Sequence, residues 1–508
     1  MQRTRAQTAL MVPVTVLALA LSACGGSSGT GSEDQGAGTQ KDTLTLGQTA
    51  DIEGYNITLQ PSYQGWFGDA VWDTLLTCDE LNNPSPQIAE SWEISDDSTS
   101  ATLKIREGQT FSDDTEIDAA DIQASGELIA TVNARFEGVK YDIADPNTIT
   151  LTWPEPQAVM ISRLCELGVT SSEAIEGGHL DETPVSSGPY ELDAGSTTRG
   201  STYTLTKRED YWDSETYPYQ NLVLKVLESE TAGINALKTG QIDGVLASAA
   251  TIDEVKASGQ EAITLSGATT RLLITDHKGE SIPALGDVRV RQAMNMVFDR
   301  DAIAKQLYRG YATPAYQIFR EGTDAYIEGL EDPYPYDVEK AKQLMEEAGY
   351  ADGFDLQIPS VSGQNHDLLI PYIAEALGKI NIKVTETPLT GPDAISNLLS
   401  GTYPVPLWQL GNYGDSRQDI VDYILPSGIW NVLHQEDPKV ADLWNTVLTG
   451  TEEESAQAQK DINQYVIDQA WFVPMAYPNG FYAYNPEVKI PHVSDFANLH
   501  PLLRDFQK

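Results

Sequence analysis

Apolar residues in this chain recur at two different spacings, and the changes from one to the other mark out folded elements. Asp42-Thr-Leu-Thr-Leu-Gly47 alternates every second residue, the period of a strand with one buried face. Residues 92–94 and 101–105 read as strands joined by the turn-rich Ser95-Asp-Asp-Ser-Thr-Ser100, a hairpin connection. Further strands are predicted over 148–153, 203–206, 222–227, 354–358 and 382–385. Helical spacing covers 69–76, with Ala70, Val71, Leu75 and Leu76 apolar, and 231–239, ending at Gly240. It returns over 287–295, 300–308, 337–348 (closed by Gly349), 368–377 and 452–468. Asp118 is placed to cap a helix running through Ala130, with Asp121 three residues on as in a capping box. Ser187-Gly-Pro-Tyr190 reads as a turn. Strands and helices mix without strict alternation, which implies α/β domains built from interleaved segments. No internal repeat is visible.

The first forty residues follow a different pattern. Arg3 and Arg5 precede an apolar run over 9–21 that only Pro13 and Thr15 interrupt. The run is short of the roughly 20 apolar residues that span a bilayer. A basic start, a short apolar core and small residues before a cut site make an export signal. Leu21-Ser22-Ala23-Cys24 resembles the bacterial lipobox, in which the thiol is diacylated and cleavage leaves the cysteine as the new N-terminus. Residues 1–23 are therefore expected to be a lipoprotein signal peptide, with Cys24 as the lipidation site. The alternative is an ordinary secretory signal with an incidental cysteine. Residues 24–41 are Gly/Ser/Thr/Gln-rich and aperiodic, a flexible tether reaching on the order of 20–25 Å. The expected location is the outer face of the cell membrane, held by a lipid anchor. No other run is long enough to cross a membrane.

The remaining 485 residues exceed what one growing core accommodates, so two or three domains are expected. Formal charge is −43, and removing a leader with two arginines and no acid takes it to about −45. That excess excludes a nucleic-acid partner, which needs clustered Lys and Arg, and argues against lying flat on anionic lipid. Dispersed acids such as Asp96-Asp97, Asp113-Asp114 and Glu452-Glu453-Glu454 read as a solvated surface. With Cys24 lipidated, Cys78 and Cys165 remain; outside the cell they are either a disulfide or two buried thiols. Enzyme readings find no G-x-S-x-G elbow, P-loop or H-E-x-x-H. The histidines, at 179, 277, 366, 434, 492 and 500, have no metal-ligand spacing. Neither catalytic residues, a metal nor a cofactor is expected.

Several segments, in order, resemble the family 5 extracellular solute-binding proteins of ABC importers, the peptide and nickel binders. Pro86-Gln-Ile-Ala-Glu-Ser-Trp92, Leu103-Lys-Ile-Arg-Glu-Gly108, Phe111-Ser-Asp-Asp114 and Ala119-Ala-Asp-Ile122 follow its P-x-L-A-x-S-W, L-R-x-G, F-x-D-G and A-x-D-V. Gly188-Pro-Tyr190, Tyr211-Trp212, Gly240-Gln-Ile-Asp243, Val290-Arg-Gln-Ala293 with Asp299-Arg300, and Tyr336-Asp337 through Ala348-Gly349 continue the match. Asp114 stands where the family has Gly, and Ile105 where it has Leu. These motifs read as scaffold, with Trp92 in the core and Arg106 an ion-pair partner.

The resemblance implies a periplasmic binding protein-like II fold: two hinged lobes with an extra domain inserted in lobe I. Lobe I would comprise 42–84, 186–269 and 481–508, the insert 85–185, and lobe II 270–480, with hinges near 272–275 and 473–477. Gly411-Asn-Tyr-Gly-Asp415 resembles the family's G-W-x-G/A-D segment, whose Asp pairs with a peptide's ammonium group. Asn412 replaces the Trp, and Ser416-Arg417-Gln418-Asp419 departs from the usual sequence, so Asp415 is either a ligand partner or a turn residue paired with Arg417. Trp408, Tyr413 and Trp430 are candidate pocket walls, as are Tyr63 and Trp66. The implied protein is a monomeric, lipid-anchored receptor that captures an oligopeptide or dipeptide and delivers it to permease and ATPase subunits. An oligosaccharide is the alternative solute, and a secreted hydrolase the remote alternative.

Overall fold

In the computed structural model the chain passes twice between two β-sheets, on neighbouring strands. The structure describes residues 41–52, 54–59, 65–79, 82–265, 268–361, 366–390, 394–411, 413–493 and 500–508. The expected signal peptide, Cys24, the tether up to residue 40, and Tyr63 lie outside the described residues.

The first sheet has seven strands, in the order Glu261–Leu265, Gly480–Tyr484, Gly244–Ala247, Thr43–Gln48, Asn221–Val226, Thr202–Lys207 and Tyr190–Leu192. Its centre is the parallel pairing of Thr43–Gln48 with Asn221–Val226. The alternation noted at the N-terminus is carried into the core, with Leu44 and Leu46 buried beside Leu222, Leu224 and Tyr203. The second sheet has four strands, in the order Ala312–Pro314, Phe472–Pro478, Ala268–Leu273 and Leu407–Gly411. A third, Ala89–Ile94, Ser100–Ile105, Thr148–Thr152 and Lys140–Asp145, is antiparallel throughout. It contains the predicted hairpin.

The chain leaves the first sheet after Leu265 and enters the second at Ala268, then returns through Asn479 between Pro478 and Gly480. Residues 272–275 and 473–477, read as hinges from the sequence, lie inside or at the edge of the second sheet, so the changes of sheet fall a few residues away. Arginine side chains brace the returning strand. Arg300 Nε donates to Pro474 O at 2.9 Å and Ala315 O at 3.1 Å. Arg291 donates to Gln469 O at 2.9 Å, and Asn295 to Phe472 O at 3.1 Å. The Val290-Arg-Gln-Ala293 and Asp299-Arg300 motifs are scaffold for this reason: buried backbone carbonyls need donors.

Helix ends follow the sequence signals. Asp118 accepts from Ala120 N at 2.7 Å and Asp121 accepts from Asp118 N at 3.0 Å, the reciprocal capping box that starts helix Ala119–Ile129. Thr451 and Glu454 cap helix Glu452–Asp468 in the same way. Asp114 has φ 69°, the left-handed conformation that a glycine usually supplies. The departure from F-x-D-G therefore keeps the turn. At Gly188 a Cβ would meet Ala70 O at 2.6 Å, so only glycine fits where this turn meets the end of helix Trp66–Val71.

That helix is one place where the structure differs from the periodicity. It starts earlier than residue 69 and ends at Val71, while Leu76 enters strand Leu76–Cys78. Backbone bonds from Leu75 N to Leu167 O and from Ala89 N to Leu75 O take this stretch into extended pairing. Tertiary partners override the local apolar spacing. Likewise residues 300–308 open as helix Arg300–Ala302 and continue as a π-helical turn over Ile303–Leu307. Arg106 places its guanidinium 4.0 Å from the Trp212 ring centroid, meeting an aromatic face rather than the expected carboxylate. Trp92 is partly buried against the first core.

Cys78 and Cys165 form a disulfide with Cα atoms 5.9 Å apart, closing a loop across 87 residues of sequence that holds the third sheet. Chain-entropy reasoning assigns such a loop about 4–5 kcal/mol, of which typically about 2–4 is realised. Replacing both cysteines with alanine should lower unfolding free energy by about 2–4 kcal/mol in a urea titration; an unchanged midpoint would contradict this. Asp73 provides a pH test. Its carboxylate is buried, accepting from Gln87 Nε2 at 2.6 Å and Tyr211 Oη at 2.9 Å. Burial pushes its pKa up from 3.8 to about 6 against those hydrogen bonds. A raised folded pKa stabilises fully below the unfolded value and is lost as pH rises through the folded one. Asp73→Asn should therefore gain stability relative to the parent between pH 4 and 7, by up to about 3 kcal/mol. Parallel stability–pH curves would contradict it.

Candidate functional site

Strand Ala268–Leu273 pairs with Leu407–Gly411 so that Ala268 faces Gly411 and Arg271 faces Trp408. The segment after Gly411 thus leaves the second sheet beside the first crossing between sheets. It turns at once into helix Ser416–Tyr423.

Asp415 is the N-cap of that helix, accepting from Arg417 N at 2.9 Å. The Arg417 side chain folds back onto it, with Nε at 2.9 and 3.0 Å from the two carboxylate oxygens and Nη2 at 2.6 Å from Oδ2. Of the two roles open for Asp415, the geometry builds the turn residue paired with arginine. Both oxygens already have charged partners.

The buried carboxylate here belongs to Asp419, one turn further on. It is 1% exposed; Oδ1 accepts from Tyr413 N at 3.3 Å, and Oδ2 is buried without a hydrogen-bond partner. Burial pushes its pKa well up, opposed by the Arg271 charge and the Tyr413 amide and reinforced by Asp422 and Asp415. Arg271 is fully buried, its guanidinium 4.3 Å from the Tyr423 ring centroid, and Tyr423 Oη donates to Gly411 O at 2.9 Å. Burial also pushes the Tyr413 phenol up, with Asp422 adding to the effect and Arg135 opposing it. Asp422 accepts from Gln418 Nε2 at 2.8 Å and pairs with Arg135 at 2.6 Å.

Tyr413 stands beside this group. Trp408 is buried, 5.3 Å from the Trp430 ring and 5.6 Å from His366, in the same core as Tyr423. Trp430 is half-buried. Trp66 is elsewhere: its indole donates to Pro501 O at 2.8 Å and packs on Tyr482 and His500 in the core of the first sheet. The structure therefore brings Asp415, Tyr413, Trp408 and Trp430 into one region and sets Trp66 apart. Asp419, Arg271, Gln418, Asp422 and Arg135 were not singled out from the sequence. Asp419 had one signal, its place in the stretch that departs from the family segment. Arg135 had none, because its partner is 287 residues away.

Among the described residues no three His, Cys, Asp or Glu side chains form a metal-binding group, and no helix is long and apolar enough to cross a membrane. Two α/β bodies joined by paired crossing strands, with charged side chains gathered beside the crossing, define a hinged binding protein. The family model for bacterial extracellular solute-binding proteins, family 5, matches residues 83–431, more than half of the chain, and the chain belongs to this family. Heme-binding protein A of Haemophilus influenzae is 26% identical over 448 residues, covering 80% of this chain and 81% of that protein. Among solved structures, AgaA of A. tumefaciens R10 in complex with agropinic acid superposes with a TM-score of 0.81 at 23% identity, over 92% of this chain and 98% of that one. DppA of Helicobacter pylori, in complex with the peptide STSA, does so with a TM-score of 0.78 at 20% identity, over 91% and 97%. The fold is the two-lobed periplasmic binding protein-like II type. The protein is the substrate-binding component of an ABC importer, from an extracellular family whose members bind small solutes, work with permease and ATPase subunits and are not enzymes.

Asp415→Ala removes a cap and an ion pair together. It should lower the stability of the ligand-free protein by about 0.5–2 kcal/mol in urea unfolding, with Asp415→Asn retaining most of the cap. Equal stability of all three proteins would contradict the structural role.

Proposed function

We propose that the protein captures short peptides between its lobes and that Asp419, rather than Asp415, receives the peptide's ammonium group. The observation that carries this reading is the buried Asp419 Oδ2, an acceptor with no hydrogen-bond partner. Such a group is costly unless a donor arrives, and a cationic donor compensates most in a site of low dielectric. Asp415 has spent its charge on Arg417. Tyr413, Trp408 and Trp430 offer apolar walls that tolerate varied side chains, and DppA, with its bound tetrapeptide, shares the fold.

In this reading lobe I comprises 42–84, 186–269 and 481–508, the insert 85–185 and lobe II 270–480. Sheet membership supports the partition: the strands of the seven-stranded sheet fall in the first set apart from Gly480, one residue past the boundary, and those of the third sheet fall in the insert. Movement occurs about the two crossings, after Leu265 and at Asn479. Solute touches both lobes only when they are closed, so binding shifts the population, and moving it from 1:99 to 99:1 takes about 5.5 kcal/mol of differential affinity. A monomer diacylated at Cys24 and leashed by residues 24–41 would hand solute to the permease at the membrane surface.

Titration calorimetry on the mature chain with tetrapeptides, with and without N-terminal acetylation, tests the assignment. Acetylation or Asp419→Asn should each weaken binding by about 2 kcal/mol or more, since a buried charge loses its partner. Because the folded pKa of Asp419 is raised, its contribution to stability is lost as pH rises, so Asp419→Asn should also be more stable than the parent at pH 8. A substitution that weakens binding while strengthening the fold marks a functional residue. Binding of oligosaccharides but not peptides, or equal affinity for both peptide forms, would overturn the proposal.

A further inference from the structure

Arg135 is the residue whose position the solute-binding function leaves unexplained. It lies in the short turn Ala134–Phe136 of the inserted region. Its backbone is held there: the carbonyl accepts from Trp153 Nε1 at 3.1 Å and the amide donates to Asn133 Oδ1 at 3.1 Å. The side chain bonds carboxylates on two different elements. Nη1 contacts Glu166 Oε2 at 3.2 Å, within the insert, and Nη2 reaches Asp422 Oδ2 at 2.6 Å, in helix Ser416–Tyr423 on the second sheet's side. One guanidinium therefore bonds one carboxylate in the insert and one in helix Ser416–Tyr423.

The two attachments differ. Arg135 and Glu166 keep side-chain exposures of 26% and 22%, whereas Asp422 keeps only 4%. Arg163, itself buried, contacts Glu166 at 3.5 Å and fixes that carboxylate in the insert. Separating the bodies would thus leave Arg135 paired with Glu166 while releasing Asp422 to water, still accepting from Gln418. Neither charge is stranded in an apolar environment in either state, which makes the contact reversible at modest cost.

A second set of contacts joins the bodies, but it belongs to the hinge. Arg309 pairs with Asp253 at 3.2 Å, and Tyr311 Oη donates to Asp253 at 2.5 Å. Tyr311 O in turn accepts from the amide of Asn479, the single residue linking the two sheets on the return crossing. Contacts at a pivot move little when the lobes swing. The Arg135–Asp422 pair instead joins the turn Ala134–Phe136 of the insert to helix Ser416–Tyr423, neither of which contains a linking residue.

We propose that Arg135 is a closure latch: its switch from Glu166 alone to Glu166 plus Asp422 holds the ligand-free protein partly closed and sets how much of the cost of closing the solute must supply. This rests on the two-lobe reading, but not on the identity of the solute. Closure before binding raises apparent affinity, because the competent state is already populated.

The test is small-angle X-ray scattering on the mature chain, stripped of co-purifying solute by unfolding and refolding. R135Q and D422N should each increase the radius of gyration while circular dichroism and melting stay near those of the parent. D422N is nearly isosteric and keeps a partner for Gln418, so it covers the case in which R135Q folds poorly. The charge swap R135E/D422R should restore the compact value, and R135E alone should not. About 1 M salt, where the Debye length is ~3 Å, should expand the parent more than R135Q. Unchanged radii in both single variants, or a swap that stays expanded, would overturn the latch. No arm uses a peptide, so failure of the peptide assignment would leave this result standing and separately readable.

Discussion

The architecture depends on one constraint: the chain crosses between its two main sheets only on adjacent, antiparallel strands. Leu265 and Gly480 are paired on one side of the crossing, and Thr270 and Ala476 on the other. Between the strands the links are two residues and one residue long, too short to allow independent placement of the bodies. A narrow double link permits rotation about itself and little else, which is the mechanical definition of a hinge. The arginine and asparagine donors that bind carbonyls along residues 469–474 tie the start of the returning strand to helix Val288–Met296 and to Arg300.

Charge is used differently inside and outside. The surface carries most of a formal excess of 43 negative charges, yet the interior recruits arginine. Arg208, Arg291 and Arg300 donate chiefly to backbone carbonyls, satisfying groups that no strand or helix partner reaches. Arg271 instead sits against the Tyr423 ring with its charge acting on Asp419, and Arg135 pairs with Asp422, where burial shifts Asp419 and Tyr413 away from their charged forms. Among the described residues, Asp419 Oδ2 is a buried carboxylate oxygen with no hydrogen-bond partner, and the proposed site rests on it.

Elements governed by neighbours in sequence were legible before the structure. The capping residue Asp118, the glycine stop at Gly240 and the alternation of Leu44 and Leu46 act within a few residues, so their outcome is written locally. The family motifs extended this to the fold. Residues 75–76 went astray because Leu167 and Ala89, distant in sequence, compete for their backbone groups. The candidate site was legible only in outline. The sequence directs attention to Gly411–Asp415, but which carboxylate is free depends on whether Arg417 turns back along the helix, a rotamer choice that no spacing encodes. Trp66 looked like a pocket wall and is core because Tyr482 and His500 come from the far end of the chain.

The most direct test of the account is a crystal structure of the mature protein with a tetrapeptide carrying a free N-terminus. The account predicts an ammonium nitrogen within hydrogen-bond distance of Asp419 Oδ2, Arg417 still folded onto Asp415, and contacts to the peptide from both lobes. A peptide nitrogen on Asp415 with Arg417 displaced, or a peptide held by one lobe alone, would contradict it.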